Sequence, residues 1–155
     1  NDHYLQINSD YIGCVDDTCL ATGELLPVKD TPFDFNKRKR IGQDLEADHI
    51  QLKNAFGYDH SFVLNGTENQ LTLEEPVSGR RLIISTTAPV VQVYTGNFLK
   101  DGCIGKAGRV YENREGVALE TQLMPNAINT EENPSTILRK GDKFESNTKY
   151  VFEIM

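Results

Sequence analysis

Apolar residues recur at every second position in short runs along this chain, and turn-forming residues interrupt the runs about every 8 to 12 positions, the pattern of an antiparallel all-β protein. A period of two presses one face of each run against a core, whereas a helix needs its apolar residues three and four apart. Leu5 and Ile7 alternate with Gln6 and Asn8, Phe33 and Phe35 flank Asp34, and Leu82-Ile83-Ile84 follows the turn Ser78-Gly79-Arg80. Val91 and Val93 alternate with Gln92 and Tyr94, and Val117, Leu119 and Thr121 alternate with Ala118, Glu120 and Gln122. A last run, Tyr150 to Ile154, follows the turn-like Lys140-Gly141-Asp142. Each of these runs is predicted to be a strand. Asn65-Gly66, between Phe62-Val63-Leu64 and Leu71-Thr72-Leu73, predicts a hairpin turn. Asn65-Gly66-Thr67 also satisfies the glycosylation acceptor pattern, and the hairpin is the preferred reading. Only the stretch 43–55 is open to a helix, but Leu45, Ile50 and Leu52 make a poor stripe and an irregular loop fits equally. With no internal repeat or Pro/Gly-rich linker, one domain is expected.

The 155 residues suffice for a single core, since a chain of this length buries about two-thirds of its unfolded surface. A composition of 38% hydrophobic and 25% charged residues is that of a soluble globular protein, and no apolar stretch approaches the roughly 20 residues that span a bilayer. No membrane partner is expected. The net charge of −7 repels phosphate backbones, so nucleic acid is not an expected partner either. The one basic run, Lys37 to Arg40, reads as a solvated loop after a strand. Cys14, Cys19 and Cys103 are odd in number and have no metal-ligand spacing, which points to packing residues, to a reducing compartment and hence to a cytoplasmic location. The N-terminus has no signal-peptide pattern and no initiator Met, which suggests a fragment or a processed product.

Dinucleotide and P-loop fingerprints, the zinc-protease helix motif, the nucleophile elbow and the EF-hand loop are all absent from the sequence. What remains is polar residues placed inside apolar strands. Glu120, within Val117-Ala118-Leu119-Glu120-Thr121-Gln122, either faces water or points into a site. Asp59, in Gly57-Tyr58-Asp59-His60-Ser61-Phe62, stands where Asp is commonly a turn residue. Gln92, in Val90-Val91-Gln92-Val93-Tyr94, carries an amide that needs partners, which backbone or a sugar hydroxyl could supply.

Taken in order, these segments resemble the signature of the aldose 1-epimerase (galactose mutarotase) family. The matching stretches are Asp2-His3-x-Leu5-Gln6-Ile7, Thr22-Gly23-Glu24, Thr31-Pro32-Phe33-Asp34-Phe35, Gly57 to Leu64 and Ser78-Gly79-Arg80. They continue through Gln92-Val93-Tyr94-Thr95-Gly96-Asn97 and Leu119-Glu120-Thr121-Gln122 to Pro125-Asn126-Ala127. The resemblance implies the family's fold, a large antiparallel β-sandwich (a supersandwich) of which residues 1–155 would be the C-terminal portion. It also implies free aldohexoses such as galactose and glucose as substrates, and no metal or organic cofactor. Glu120 takes the family position of the catalytic base at the anomeric hydroxyl. Asp59 matches the carboxylate that hydrogen-bonds sugar hydroxyls, and Gln92 a substrate-contacting amide.

The chain departs from the family at the acid. The family's general acid is a His upstream of the Asp-His-x-Leu stretch, with a second His and an Arg earlier still, and none of these is in the sequence. His3 belongs to the Asp-His-x-Leu stretch itself, His49 falls in the irregular region, and His60 is assigned a supporting role beside Asp59. Ala21 and Val90 replace a Pro and a Gly that the family prefers, which alters local turns. Two readings follow. One is an isomerase half-site completed by an N-terminal segment or chain that supplies the acid. The other is a non-catalytic carbohydrate-binding β-sandwich or an inactive fragment. Epimerisation of a phosphorylated hexose would want clustered cations, and Arg80, Arg81 and Lys106 are only loose candidates.

Overall fold

The computed structural model of the chain describes residues 2–99, 104–130 and 136–155. The expectation for Cys103 lies outside the described residues. Among the described residues, ten strands form two five-stranded antiparallel sheets. The first sheet contains β1 (Tyr4–Ile7), β4 (Lys39–Arg40), β6 (Leu71–Glu75), β7 (Arg80–Thr86) and β10 (Thr148–Ile154), in the order β10-β7-β6-β1-β4. The second contains β2 (Ser9–Val15), β3 (Ala21–Pro27), β5 (Asp59–Leu64), β8 (Val90–Tyr94) and β9 (Ala118–Gln122), in the order β3-β2-β5-β8-β9.

Alternation decides what the sheets bury. Leu5, Ile7, Leu71 and Ile84 from the first sheet share one core with Ile12, Phe62, Val91 and Val93 from the second. Burying a large aliphatic or aromatic side chain is worth roughly 1.5–3 kcal/mol, so this shared face holds the two layers together. A hydroxyl link joins them at one side: Thr148 Oγ1 in β10 lies 2.8 Å from Thr86 Oγ1 and 2.8 Å from Thr121 Oγ1 in β9.

The predicted strand at Phe33–Phe35 is not one. Both rings are buried, Phe33 at 0% and Phe35 at 1% exposure, but the backbone makes turns. Thr31 Oγ1 bonds Val28 O at 2.6 Å, and the Asp34 carboxylate accepts from Asn36 N at 3.1 Å. Such local side-chain bonds satisfy backbone groups that a strand would offer to a neighbour. The rings still reach the core, where Phe33 meets His60 edge-on at 4.7 Å and Tyr58 at 5.5 Å.

The hairpin predicted at Asn65-Gly66 is also corrected, because β5 and β6 belong to different sheets. Each is already paired on both sides, β5 with β2 and β8, β6 with β1 and β7. The connection therefore crosses from sheet to sheet, and buried Gln70 stitches it by donating to Gly66 O at 2.8 Å and Thr86 O at 3.0 Å. Of the stretch 43–55, only α1 (Ile50–Ala55) is α-helical, with His49 Nδ1 accepting from Gln51 N at its start. The basic run is less solvated than expected. Lys39 donates to Pro32 O at 2.7 Å and lies over the Phe35 ring, while Arg38 bonds Glu74 at 2.5 Å. Cys14 is buried as a packing residue, and Cys19 is part-buried with its thiol against Asn54 O. Among the described residues no helix is long and apolar enough to cross a membrane.

One part of the core-facing surface is bare. Antiparallel partners project to the same side of a sheet, so Tyr150 opposite buried Ile84 and Phe152 opposite Leu82 face inward. Phe152 is nevertheless 78% exposed and Ile154 76%.

Candidate functional site

The outer face of the second sheet carries the polar residues that the alternation places away from the core. In β5, His60 and Phe62 point inward and are fully buried, so Asp59 and Ser61 point outward. In β8, Val91 and Val93 face the core, which turns Gln92 and Tyr94 outward. Ser61 pairs with Gln92 across one strand boundary, and Gln92 pairs with Glu120 across the next. Opposite residues of an antiparallel pair have Cβ atoms about 4.5–5.5 Å apart. A row therefore crosses the sheet from Gly13 through Ser61 and Gln92 to Glu120, with Asp59 one step along β5.

The row is hydrogen-bonded. Gln92 Nε2 donates to Asp59 Oδ1 at 2.7 Å, and Ser61 Oγ donates to Gln92 Oε1 at 2.5 Å. Asp59 is half-buried, and loss of hydration raises its carboxyl above the usual range; the Gln92 bond works in the opposite direction. Glu120 stands exposed. All three residues singled out from the sequence thus share one face, Asp59 in direct contact with Gln92 and Glu120 in register beside it.

Beneath this face lies a buried polar layer. Asp59 N donates to His60 Nδ1 at 3.1 Å, and His60 Nε2 lies 3.3 Å from Gln51 Oε1, which also accepts from Val15 N at 2.8 Å. Desolvation, helped by nearby His49, lowers the His60 pKa to about 3, so the ring is neutral with its proton on Nε2 toward Gln51. His60 cannot reach the outer face and supports Asp59 from below, as its supporting role implies. Thr95 and Asn97 complete the layer. Thr95 Oγ1 accepts from Tyr58 N at 3.2 Å, and Asn97 Nδ2 donates to Ala55 O at 2.8 Å and Tyr58 O at 3.1 Å, anchoring the start of β5. Sequence reasoning passed over Ser61. Its signal was available as an Asp-x-Ser spacing of two in a strand, which puts both polar groups on one face.

The recess beside the row is small. Gly13, Ser61, Gln92, Glu24, Cys19 and Met124 are among the residues that surround about 80 Å³, well below the roughly 300 Å³ at which ligand pockets begin. A side chain on Gly13 would start 3.4 Å from Met124 Sδ, so glycine keeps this recess open. The described residues thus supply a floor and one wall. Among them no group of three or more His, Cys, Asp or Glu is placed to hold a metal. No histidine joins the row, since His49 caps α1 and His3 lies beside β4, its carbonyl accepting from Ile41 N. Arg80 and Arg81 stand in β7 of the other sheet, away from this face.

A family model described as aldose 1-epimerase matches residues 1–151. The chain is 38% identical over 157 residues to galactose mutarotase of Homo sapiens, covering 99% of this chain and 44% of that protein. Among solved structures, a GalM/aldose epimerase homologue from C. elegans superimposes with a TM-score of 0.87 at 31% identity, over 99% of this chain and 46% of that one. A galactose 1-epimerase from Lactobacillus acidophilus NCFM gives 0.76 at 32% identity, over 99% and 44%. The chain spans less than half the length of each of these relatives.

Proposed function

The chain belongs to the aldose 1-epimerase family, and from that membership we propose that it forms the base-bearing half of a mutarotase site that interconverts the α and β anomers of a free hexose such as galactose or glucose. The observation that carries this reading is the hydrogen-bonded Asp59–Gln92 pair with Glu120 in cross-strand register beside it on an open sheet face. Asp59 and Gln92 hold sugar hydroxyls, and specificity arises because an epimer with a misplaced hydroxyl leaves one of them unpaired. The Glu120 carboxylate takes the proton from the anomeric hydroxyl. The C1–O5 bond breaks as an acid delivers a proton to the ring oxygen, giving the open-chain aldehyde. Rotation about C1–C2 and the reverse proton transfers close the ring on the other face, so atoms and protons balance with no redox partner.

The acid belongs to a complementary N-terminal segment or chain. Two features support such a complement: the recess is too small to enclose a hexose, and inward-facing Phe152 and Ile154 lie exposed on edge strand β10. A second reading, a carbohydrate-binding sandwich without catalysis, is favoured by the lack of a histidine on the row. Relaxation of the optical rotation of fresh α-D-galactose separates the two. Mutarotase activity requires acceleration that falls by about 10²–10⁴-fold in Glu120→Gln. Measured on the chain together with its N-terminal complement, acceleration that survives the substitution would remove Glu120 from the base role, and sugar binding without acceleration would establish the second reading.

A further inference from the structure

We propose that Ser61 is a positioning residue for the sugar site, acting through Gln92 on Asp59; this rests on the reading of that face as the place where a hexose binds. Ser61 is only 4% exposed, so it is not itself a surface for substrate. Its influence runs through the one group it holds on this face, Gln92 Oε1 at 2.5 Å.

The direction of each bond follows from chemistry. An ionised carboxylate only accepts, so the end of the Gln92 amide that meets Asp59 Oδ1 at 2.7 Å must be the NH₂. The carbonyl then points at Ser61, whose hydroxyl donates to it. Both ends of the Gln92 amide are thereby held, and its second N–H makes no hydrogen bond to the described residues. Asp59 Oδ2 takes no hydrogen bond from the described residues and can still accept one. A donor next to an acceptor matches two neighbouring hydroxyls of a sugar, one accepting and one donating. Gly13, opposite Ser61, has no side chain to compete for the serine hydroxyl; a Cβ there would lie 3.8 Å from Ser61 Cβ.

Without the Ser61 hydroxyl, Gln92 Oε1 loses its partner at a half-buried position and the amide is held at one end only. A single neutral hydrogen bond contributes about 0.5–1.5 kcal/mol, so sugar binding should weaken by about three- to tenfold. Threonine keeps the hydroxyl and suits a strand.

The test follows the Gln92 side-chain amide by ¹H–¹⁵N NMR in the full 155-residue chain, with galactose titrated as the probe. In Ser61→Ala the Gln92 NH₂ pair shifts and exchanges faster with water, the backbone amides of the neighbouring strands stay in place, and the galactose Kd rises three- to tenfold; Ser61→Thr restores all three. An unmoved Gln92 amide in Ser61→Ala overturns the proposal, as does an unchanged Kd or a Thr variant that behaves like Ala. Galactose that perturbs no resonance of the unsubstituted chain would refute the sugar site, and with it any positioning role there, while the amide arm still reports separately whether Ser61 holds Gln92.

Discussion

His60 ties the stability of this fold to pH in a way that can be worked out in advance. The imidazole is 0% exposed, and burial lowers its pKa to about 3, whereas the unfolded chain titrates at the ordinary value near 6.5. Below pH 6.5 the unfolded state therefore binds a proton that the folded state refuses. The stability associated with the neutral ring is complete above about pH 6.5 and is lost progressively as the pH falls toward 3. Between pH 7.5 and 5.0 the loss is about 2 kcal/mol, at about 1.4 kcal/mol for each pH unit below 6.5. For a chain of this size that corresponds to a fall of about 4–8 °C in Tm. His49, lowered by its own burial, pulls in the same direction. Asp59 opposes both, because a carboxyl raised by burial destabilises the fold at neutral pH and recovers as it protonates. Urea denaturation at the two pH values, on the unsubstituted chain and on His60→Gln, isolates the His60 share as the difference between their pH dependences. Equal losses in the two proteins would refute the reasoning. So would a His60 ring-proton titration in the folded chain with a midpoint above about pH 5, a measurement that needs no variant to fold.

Two further substitutions probe the rest of the sandwich. The Glu74 side chain is 8% exposed and accepts from Arg38 at 2.5 Å and Arg81 at 2.9 Å, with the Arg38 bond foremost in holding its carboxyl below the usual range. Glu74→Gln should cost about 1–2 kcal/mol in urea denaturation, less than a fully buried pair because both arginines are partly solvated; a change below about 0.5 kcal/mol would show that the pair is ornamental. Phe152→Lys should markedly reduce binding of a hydrophobic dye such as ANS while leaving the midpoint of unfolding nearly unchanged, since the ring is 78% exposed. Undiminished dye fluorescence would mean that the bare inner face is not the surface the dye finds.

The fold was legible wherever one face of a strand had no choice. In β8 the alternation Val91, Gln92, Val93, Tyr94 can be satisfied only by sending the valines inward, and the same holds for Leu5 and Ile7 in β1. Legibility failed where a local signal met a constraint that lay elsewhere in the chain. Asn65-Gly66 is a sound turn, and Gly66 adopts φ of 73°, but a hairpin also requires its two flanking strands to be free to pair with each other. Both had neighbours from distant segments, which no window around residue 65 reveals. At Phe33 and Phe35 the spacing of two was real and the inference to a strand was not. Thr31 and Asp34 bond to nearby backbone, and two aromatic rings can be buried from a turn as completely as from a sheet.

The site divides along the same line. That Gln92 faces away from the core follows from Val91 and Val93, and that Asp59 does so follows from the inward burial of His60 and Phe62; the spacing alone could have placed Ser61 with them. Which polar residue on that face does chemistry was not written in the spacing, and it entered through the resemblance to a family of enzymes. The structure adds a physical distinction between the two carboxylates. Asp59 is half-buried and tied to a layer of neutral, fully bonded groups, which suits a residue that must hold a hydroxyl in one place. Glu120 sits on β9, the edge strand of its sheet, exposed to water. A base that works on a sugar gains from a dry, preorganised surrounding, because charges in water are screened by solvent that must reorganise at each proton transfer. On the proposed reading, the cover that dries Glu120 and the acid that faces it therefore come from the same complement, so restoring the missing wall and restoring the rate are one requirement and not two.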